Sequence, residues 1–329
     1  MGELHYFLGI QVTKAKEGSL ILSQEKYVGD LLAKAGMTGC KPCTTPLPSS
    51  IRLFAFGGPA FTDPRLYRSV VGSLQYLTIT RPELSYCVSK VSQFLQHPLE
   101  EHWKLVKRVL RYVSGTSTYG LQLHRVKDMI VTAYSDSDWG GDPNDRKSTG
   151  AFCVFLGKNL ISWSSKKQSV VARSSTEAEY RAMANLVAEL LWIKHLLHEL
   201  KIPLTKAPMI YCDNLSAVLL AANPILHSKS KHFETDLHFV RDHVNNKTIQ
   251  VSHIPGSVQV ADALTKALPS RSFLEFRSML NITDAKLFFS KSNDKFTKTG
   301  TKRSIEDLES REHEEVCKEP TSKERKEED

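Results

Sequence analysis

Four carboxylates stand where they could share one hard cation. Asp136 falls in Tyr134-Ser135-Asp136-Ser137-Asp138-Trp139 and Glu179 in Ser174-Ser175-Thr176-Glu177-Ala178-Glu179-Tyr180. Asp213 falls in Ile210-Tyr211-Cys212-Asp213-Asn214, and Asp262 in Val260-Ala261-Asp262-Ala263-Leu264-Thr265-Lys266. Magnesium takes oxygen ligands, usually a few carboxylates completed by water and substrate phosphate. A nuclease of that kind needs acids brought to one point from separate elements, and these four come from strand ends and helix starts. Singly, each has a plainer role: Asp136 and Asp138 as turn formers, Asp213-Asn214 as a loop pair, Asp262 as a helix-start acid.

Helical phase separates Glu179 from its neighbour. At about 100° per residue, Glu179 aligns with Met183, Leu186, Leu190, Ile193 and Leu197, the apolar stripe that must face a sheet, whereas Glu177 points roughly opposite. An unpaired carboxylate on a core stripe is costly, so Glu179 is expected to reach water at a rim or to hold a cation. Glu177 reads as a first-turn acid forming a capping box with Ser174.

The elements that position these acids follow from periodicity. Tyr6 to Val12 and Ser19 to Ser23 read as strands about a turn at Glu17-Gly18, followed by a helix from about Gln24 to Ala35 and a proline-broken linker, Lys41 to Pro48. Helical patterns cover Tyr67 to Thr78, Pro82 to Leu95 and Leu99 to Val113. After Asp128 the period changes: strands over 131–134, 151–155 and 160–163, a long helix over 176–200, a strand over 209–212, a helix over 234–244, a strand over 249–251 and a last helix from about Gln259. That order makes a mixed α/β domain with a five-stranded sheet. From about Ser290 the composition is charged and nearly free of apolar residues, which predicts disorder.

The chain has 329 residues, 41% hydrophobic and 24% charged, with net charge +8. The basic balance favours polyanionic partners, because lysine and arginine displace counterions from phosphates. Of the six cysteines only Cys40 and Cys43 have zinc-like spacing, and they lack a second pair, so reduced thiols in an intracellular setting are expected. No apolar run approaches the length of a bilayer span, so no membrane partner is expected.

With these motifs in order, the sequence resembles the polymerase polyprotein of copia-type LTR retrotransposons. The resemblance is carried by Tyr134 to Gly141, Asp145-Arg146-Lys147-Ser148-Thr149-Gly150, Ser174 to Tyr180, Tyr211 to Asn214, His227 to His232 and Ala261 to Lys266. Upstream, Tyr6 to Ile10, Leu22 to Tyr27, Gly72 to Leu77, Thr80 to Leu84 and His102-Trp103 through Arg111-Tyr112 resemble the end of that family's reverse transcriptase and its connection. The resemblance implies four parts: a reverse transcriptase remnant (palm and thumb) with linker over 1–58, a helical connection over 59–127, a ribonuclease H domain over 128–285 and a charged tail over 286–329. The polymerase motif Tyr-x-Asp-Asp is absent from this stretch, so DNA synthesis is not expected of it.

The resemblance further implies that Asp136, Glu179, Asp213 and Asp262 are the metal ligands, with two Mg²⁺ ions, or Mn²⁺ in their place, and that His253 is a catalytic loop histidine. Strand parity puts Asp138 on the same face as Asp136, so the choice of Asp136 rests on the family. Arg146, Lys147, Lys166, Lys167 and Arg173 lie in or between the strands leading to Glu179 and are candidate phosphate contacts. The expected activity is hydrolysis of the RNA strand of RNA–DNA hybrids, the expected protein partner the remaining reverse transcriptase of the polyprotein. The setting would be cytoplasmic, inside a virus-like particle, or nuclear. The competing expectation is a non-catalytic binding remnant of a decayed or co-opted element.

Overall fold

The computed structural model describes residues 4–15, 18–222 and 233–288. The motif from His227 to His232 and the charged stretch from Ser290 onward lie outside these residues.

An antiparallel sheet forms from β1 (Tyr6–Phe7), β2 (Ile10–Lys14), β3 (Leu20–Ser23), β4 (Tyr119–Leu123) and, from the far end of the described chain, β10 (Ile282–Asp284), in the order β1-β2-β3-β4-β10. Two details depart from expectation. The first strand is broken, because Leu8 and Gly9 both take positive φ and Tyr76 donates its hydroxyl hydrogen to the Leu8 carbonyl. Strand β4 lies in the segment expected to be helical only. Gly120 allows it, since a Cβ there would stand 2.3 Å from the Leu22 carbonyl oxygen of β3.

Between these strands run α1 (Glu25–Lys34), α2 (Pro64–Leu77), α3 (Ser85–Ser92) and α4 (Glu100–Gly115). Asp63 caps α2 by accepting from Leu66 N–H at 2.9 Å, with Pro64 at the first helical position. Tyr67, Val70, Val71, Leu74, Val106, Val109, Leu110 and Val113 meet in their core, each apolar side chain contributing roughly 1.5–3 kcal/mol. Beneath them Arg81 is fully buried. Its guanidinium pairs with Glu83 at 2.7 Å and donates to the Thr116 carbonyl and hydroxyl at 2.8 and 2.7 Å.

The second sheet holds β5 (Val131–Asp138), β6 (Thr149–Leu156), β7 (Asn159–Lys167), β8 (Met209–Cys212) and β9 (Gln250–His253), in the order β7-β6-β5-β8-β9. The first three strands pair antiparallel; β8 and β9 add in parallel. This is the five-stranded mixed sheet expected from the sequence. Helix α5 (Ser175–Glu199) covers one face, setting Tyr180, Met183, Leu186, Val187, Leu190 and Ile193 against Val131, Ala133, Val154 and Ile210. Helices α6 (Leu215–Ala222) and α7 (Glu234–Asn245) complete that layer, and α8 (Ser270–Met279) leads to β10. No helix among the described residues is long and apolar enough to cross a membrane.

The last helix does not begin at Gln259 as periodicity suggests. Residues Val260–Leu264 form a 3-10 turn, and α8 starts only after Pro269. Gln259 sets the turn: its side chain accepts from Ala261 N–H at 3.2 Å and donates to the Ser135 carbonyl at 3.0 Å, tying the turn to β5. Ser165 of β7 holds the far end through the Leu264 carbonyl at 2.6 Å.

Candidate metal centre

Asp136 lies near the C-terminal end of β5, buried, where parallel neighbour β8 delivers Asp213 just beyond its own last residue. The 3-10 turn pinned by Gln259 brings Asp262 to the same place. Oxygen atoms of Asp136, Asp213 and Asp262 all lie within 4.8 Å of one another. Glu179, one turn into α5 and 6% exposed, reaches the group through Asp213: Glu179, Asp213 and the Cys212 thiol also have atoms within 4.8 Å of one another. Glu179 Oε1 accepts from the Ser137 backbone N–H at 3.2 Å, which fixes the helix to β5 beside Asp136.

Such crowding raises proton affinity. Burial, then the charges of Asp136 and Asp213, push the Glu179 carboxyl up to about 10. Asp213 is also raised, by burial and by Asp136. Asp262 is raised to about 6 by burial, against the opposing pull of Lys266, whose Nζ lies 2.8 Å from Asp262 Oδ1. Thr265 donates its hydroxyl hydrogen to Asp136 Oδ2. A set of carboxylates that repel one another in a partly buried site is completed by a divalent cation, and all-oxygen donors suit Mg²⁺ or Mn²⁺. The residues therefore fit the metal that the resemblance implies.

Asp136 and Asp138, inseparable by strand parity, are separated by their surroundings. The Asp138 carboxylate turns toward the following loop, accepting from the Thr149 backbone N–H; a Cβ on Gly141 would stand 2.2 Å from Asp138 Oδ2. It belongs to neither acidic group, and burial raises it to about 6. Glu179 and Glu177 also differ, though not as phase alone suggested. Glu177 is buried too, not a solvated first-turn acid: Arg181 pairs with it at 3.0 Å and bridges on to Asp236 at 3.5 Å. Its helix-start role is present, with Ser174 Oγ accepting from Glu177 N–H at 3.2 Å, while its carboxylate accepts from Arg173 N–H at 3.0 Å.

His253 closes β9, exposed, and its Nε2 donates to the Asp213 carbonyl at 3.1 Å, so the ring adjoins the acidic group from outside. The basic candidates divide. Arg146, Lys166 and Arg173 are exposed, and Lys147 is half-buried beside Asp145 at 3.6 Å. Lys167 is committed elsewhere, to Asp142 and Asp145 at 2.9 Å each, so a phosphate would have to displace two carboxylates. Sequence reasoning passed over Lys266, whose i+4 spacing from Asp262 was the available signal, and Thr265 and Gln259, for which the sequence offers none.

Acids from β5, the end of β8 and the closing turn thus meet at one edge of the mixed sheet, with Glu179 of α5 beside them. The polymerase polyprotein of transposon RE1 of Arabidopsis thaliana is 49% identical over 281 residues, covering 85% of this chain. That of transposon TNT 1-94 of Nicotiana tabacum is 36% identical over 83% of it. The chain belongs to the retrovirus-related Pol polyproteins of copia-type transposons. It spans about a fifth of their length, 19% and 21%. No protein-family model matches. Among solved structures, a compost-derived ribonuclease H1, LC11, aligns at 17% identity over 42% of this chain and 93% of its own, with TM-score 0.33. The foamy viral protease–reverse transcriptase bound to double-stranded DNA aligns at 14% identity over 80% and 38%, with TM-score 0.41.

Proposed function

We propose that residues 128–285 hydrolyse the RNA strand of RNA–DNA hybrids, with divalent cations held by Asp136, Glu179, Asp213 and Asp262. The observation that carries this reading is the meeting of Asp136, Asp213 and Asp262 oxygens within 4.8 Å, with Glu179 joined through Asp213. Two bound Mg²⁺ ions would supply an activated water and charge neutralisation at the leaving oxygen. Thr265 orients Asp136 and Ser137 N–H orients Glu179, so both acids present a fixed oxygen. His253, anchored on the Asp213 carbonyl, is placed to exchange protons at the edge of the site. Arg146 and Lys166 can hold phosphates without giving up an internal ion pair. The 2′-hydroxyl and the hybrid's groove width, not base sequence, select the substrate.

Incubation of the chain with a labelled hybrid, with Mg²⁺ and with EDTA, tests the proposal, Asp213→Asn serving as control. Internal cuts in the RNA strand that need Mg²⁺ and fall on the order of 10²–10³-fold in the variant support it. Binding without Mg²⁺-dependent cleavage would identify a non-catalytic remnant instead.

A further inference from the structure

One group beside the acids has no part in magnesium chemistry. Cys212, the last residue of β8, carries a free and fully buried thiol, and its Sγ lies within 4.8 Å of oxygens of Glu179 and Asp213. The two acceptors it meets, Glu179 Oε2 and the Asn214 carbonyl, both stand 3.9 Å away, so this weak donor is held closely by neither. Mg²⁺ and Mn²⁺ prefer oxygen and gain nothing from sulfur, whereas a softer cation does. On a tetrahedral zinc, with bonds of roughly 2.3 Å to sulfur and roughly 2.1 Å to a carboxylate oxygen, those two ligand atoms stand roughly 3.6 Å apart. The separation of Cys212 Sγ and Glu179 Oε2 is close to that, and Asp213 is in reach as a third ligand.

A second group beside the thiol lacks a partner. Ser135 of β5 pairs in register with Cys212, which sets both side chains on the face of the sheet that α5 covers. The Ser135 hydroxyl is 0% exposed and finds no hydrogen-bond partner among the described residues. Buried hydroxyls are ordinarily bonded, and a water held as the fourth ligand of a tetrahedral cation would supply the missing partner. Glu179 is already turned the right way: Oε1 takes the Ser137 N–H, and Oε2 faces the thiol. Half-buried Asp213 opens the group to solvent.

We propose that Glu179, Cys212 and Asp213 form a site for a thiophilic divalent cation, Zn²⁺ or Cd²⁺, which shares two acids with the magnesium centre and so excludes Mg²⁺ from it. Binding forms one metal–sulfur bond and releases the thiol proton to solvent. The site stands on its own geometry, and only its consequence, silencing of cleavage, rests on the ribonuclease H reading. Titration of the whole chain with Cd²⁺, in a reductant that carries no thiol, follows the ultraviolet charge-transfer band of a cadmium–sulfur bond. The difference between wild type and Cys212→Ala is the readout, because Cys40 and Cys43 contribute equally to both. Wild type should show the extra band, and Cys212→Ala and Cys212→Ser should lose it and bind Zn²⁺ at least about tenfold more weakly. Glu179→Gln, which leaves the thiol in place, should also weaken Zn²⁺ binding. Identical cadmium spectra in wild type and Cys212→Ala, or a Zn²⁺ affinity unchanged in all three variants, overturn the site. Should melting curves show that neither Cys212 variant folds, Glu179→Gln decides, and an unchanged Zn²⁺ affinity there overturns it. Cleavage in Mg²⁺ that survives saturating Zn²⁺ overturns the overlap of the two centres. A chain that shows the cadmium band yet cleaves no hybrid refutes the ribonuclease H reading and leaves the site standing.

Discussion

The ammonium of Lys266 sits 2.8 Å from Asp262 Oδ1, so the acid that closes the carboxylate group is already paired with a cation of the chain's own. The charges of Asp262, Asp136 and Asp213 all raise the proton affinity of Lys266. A divalent ion must take Asp262 from it. Because Lys266 is half exposed, the pair is worth little more than a surface ion pair. Lys266→Met is therefore expected to bind Mg²⁺ up to about fivefold more tightly. Calorimetric titration checks this, and an unchanged or weaker affinity would show that Lys266 does not compete.

Glu179 makes the metal-free fold sensitive to pH. Its folded proton affinity, at about 10, lies far above the ordinary carboxylate value of 4.5. A raised acid contributes stability that is fully present below its unfolded value and lost as pH rises through the folded one. Stability in EDTA should thus fall between about pH 4.5 and 10, with Asp213 and Asp262 acting in the same direction. Glu179→Gln should flatten that slope and be more stable than wild type at pH 8 by on the order of 1–3 kcal/mol. Melting curves across pH decide it; identical slopes would contradict the assignment. Mg²⁺ should narrow the gap by stabilising wild type more than the variant, which keeps only Asp136, Asp213 and Asp262 as ligands.

Glu177 carries a different load two residues earlier. It is buried against Arg181 and accepts from Arg173 N–H. Removing Glu177 leaves Arg181 with Asp236 as its remaining partner, at 3.5 Å, and the Arg173 N–H without its acceptor, so Glu177→Ala should cost about 1–3 kcal/mol. Chemical denaturation measures that loss, while Mg²⁺ affinity of the folded fraction should stay near the wild-type value. A variant that keeps its stability but loses metal would reverse the roles of Glu177 and Glu179.

Those two residues show how far the sequence could be read. Phase placed Glu179 on the buried stripe of α5, and the structure has it there, because a 25-residue helix with one apolar face leaves little freedom. Phase also turned Glu177 outward. It missed that α7, distant in sequence, sends Asp236 to the Arg181 that Glu177 binds, so that Glu177 is buried at one end of a partly exposed ionic group. The sheet was legible from runs of alternation and breakers, whereas β4 was not: Tyr119–Leu123 gains its strand character from pairing with β3 and β10, segments about a hundred residues before and about 160 after it. The turn holding Asp262 escaped for the same reason, since Gln259 bonds to Ser135 far upstream.

Asp136 and Asp138 share a face of β5 and differ in what they touch. Asp136 meets Asp213 and Asp262, whereas Asp138 accepts from the Thr149 backbone N–H at the start of the next strand. An amide in place of Asp138 still offers an oxygen to that N–H, so Asp138→Asn should retain Mg²⁺ affinity within about threefold and lose under ~1 kcal/mol of stability. Asp136→Asn removes a charge from the centre itself and should weaken Mg²⁺ binding by at least about tenfold while raising the melting temperature in EDTA, because Glu179 and Asp213 are relieved of a repelling neighbour. Parallel titrations and melts of the two variants separate the residues. If Asp138→Asn lost metal as severely as Asp136→Asn, Asp138 would belong to the ligand set and the loop at Gly141 would have to open to admit it.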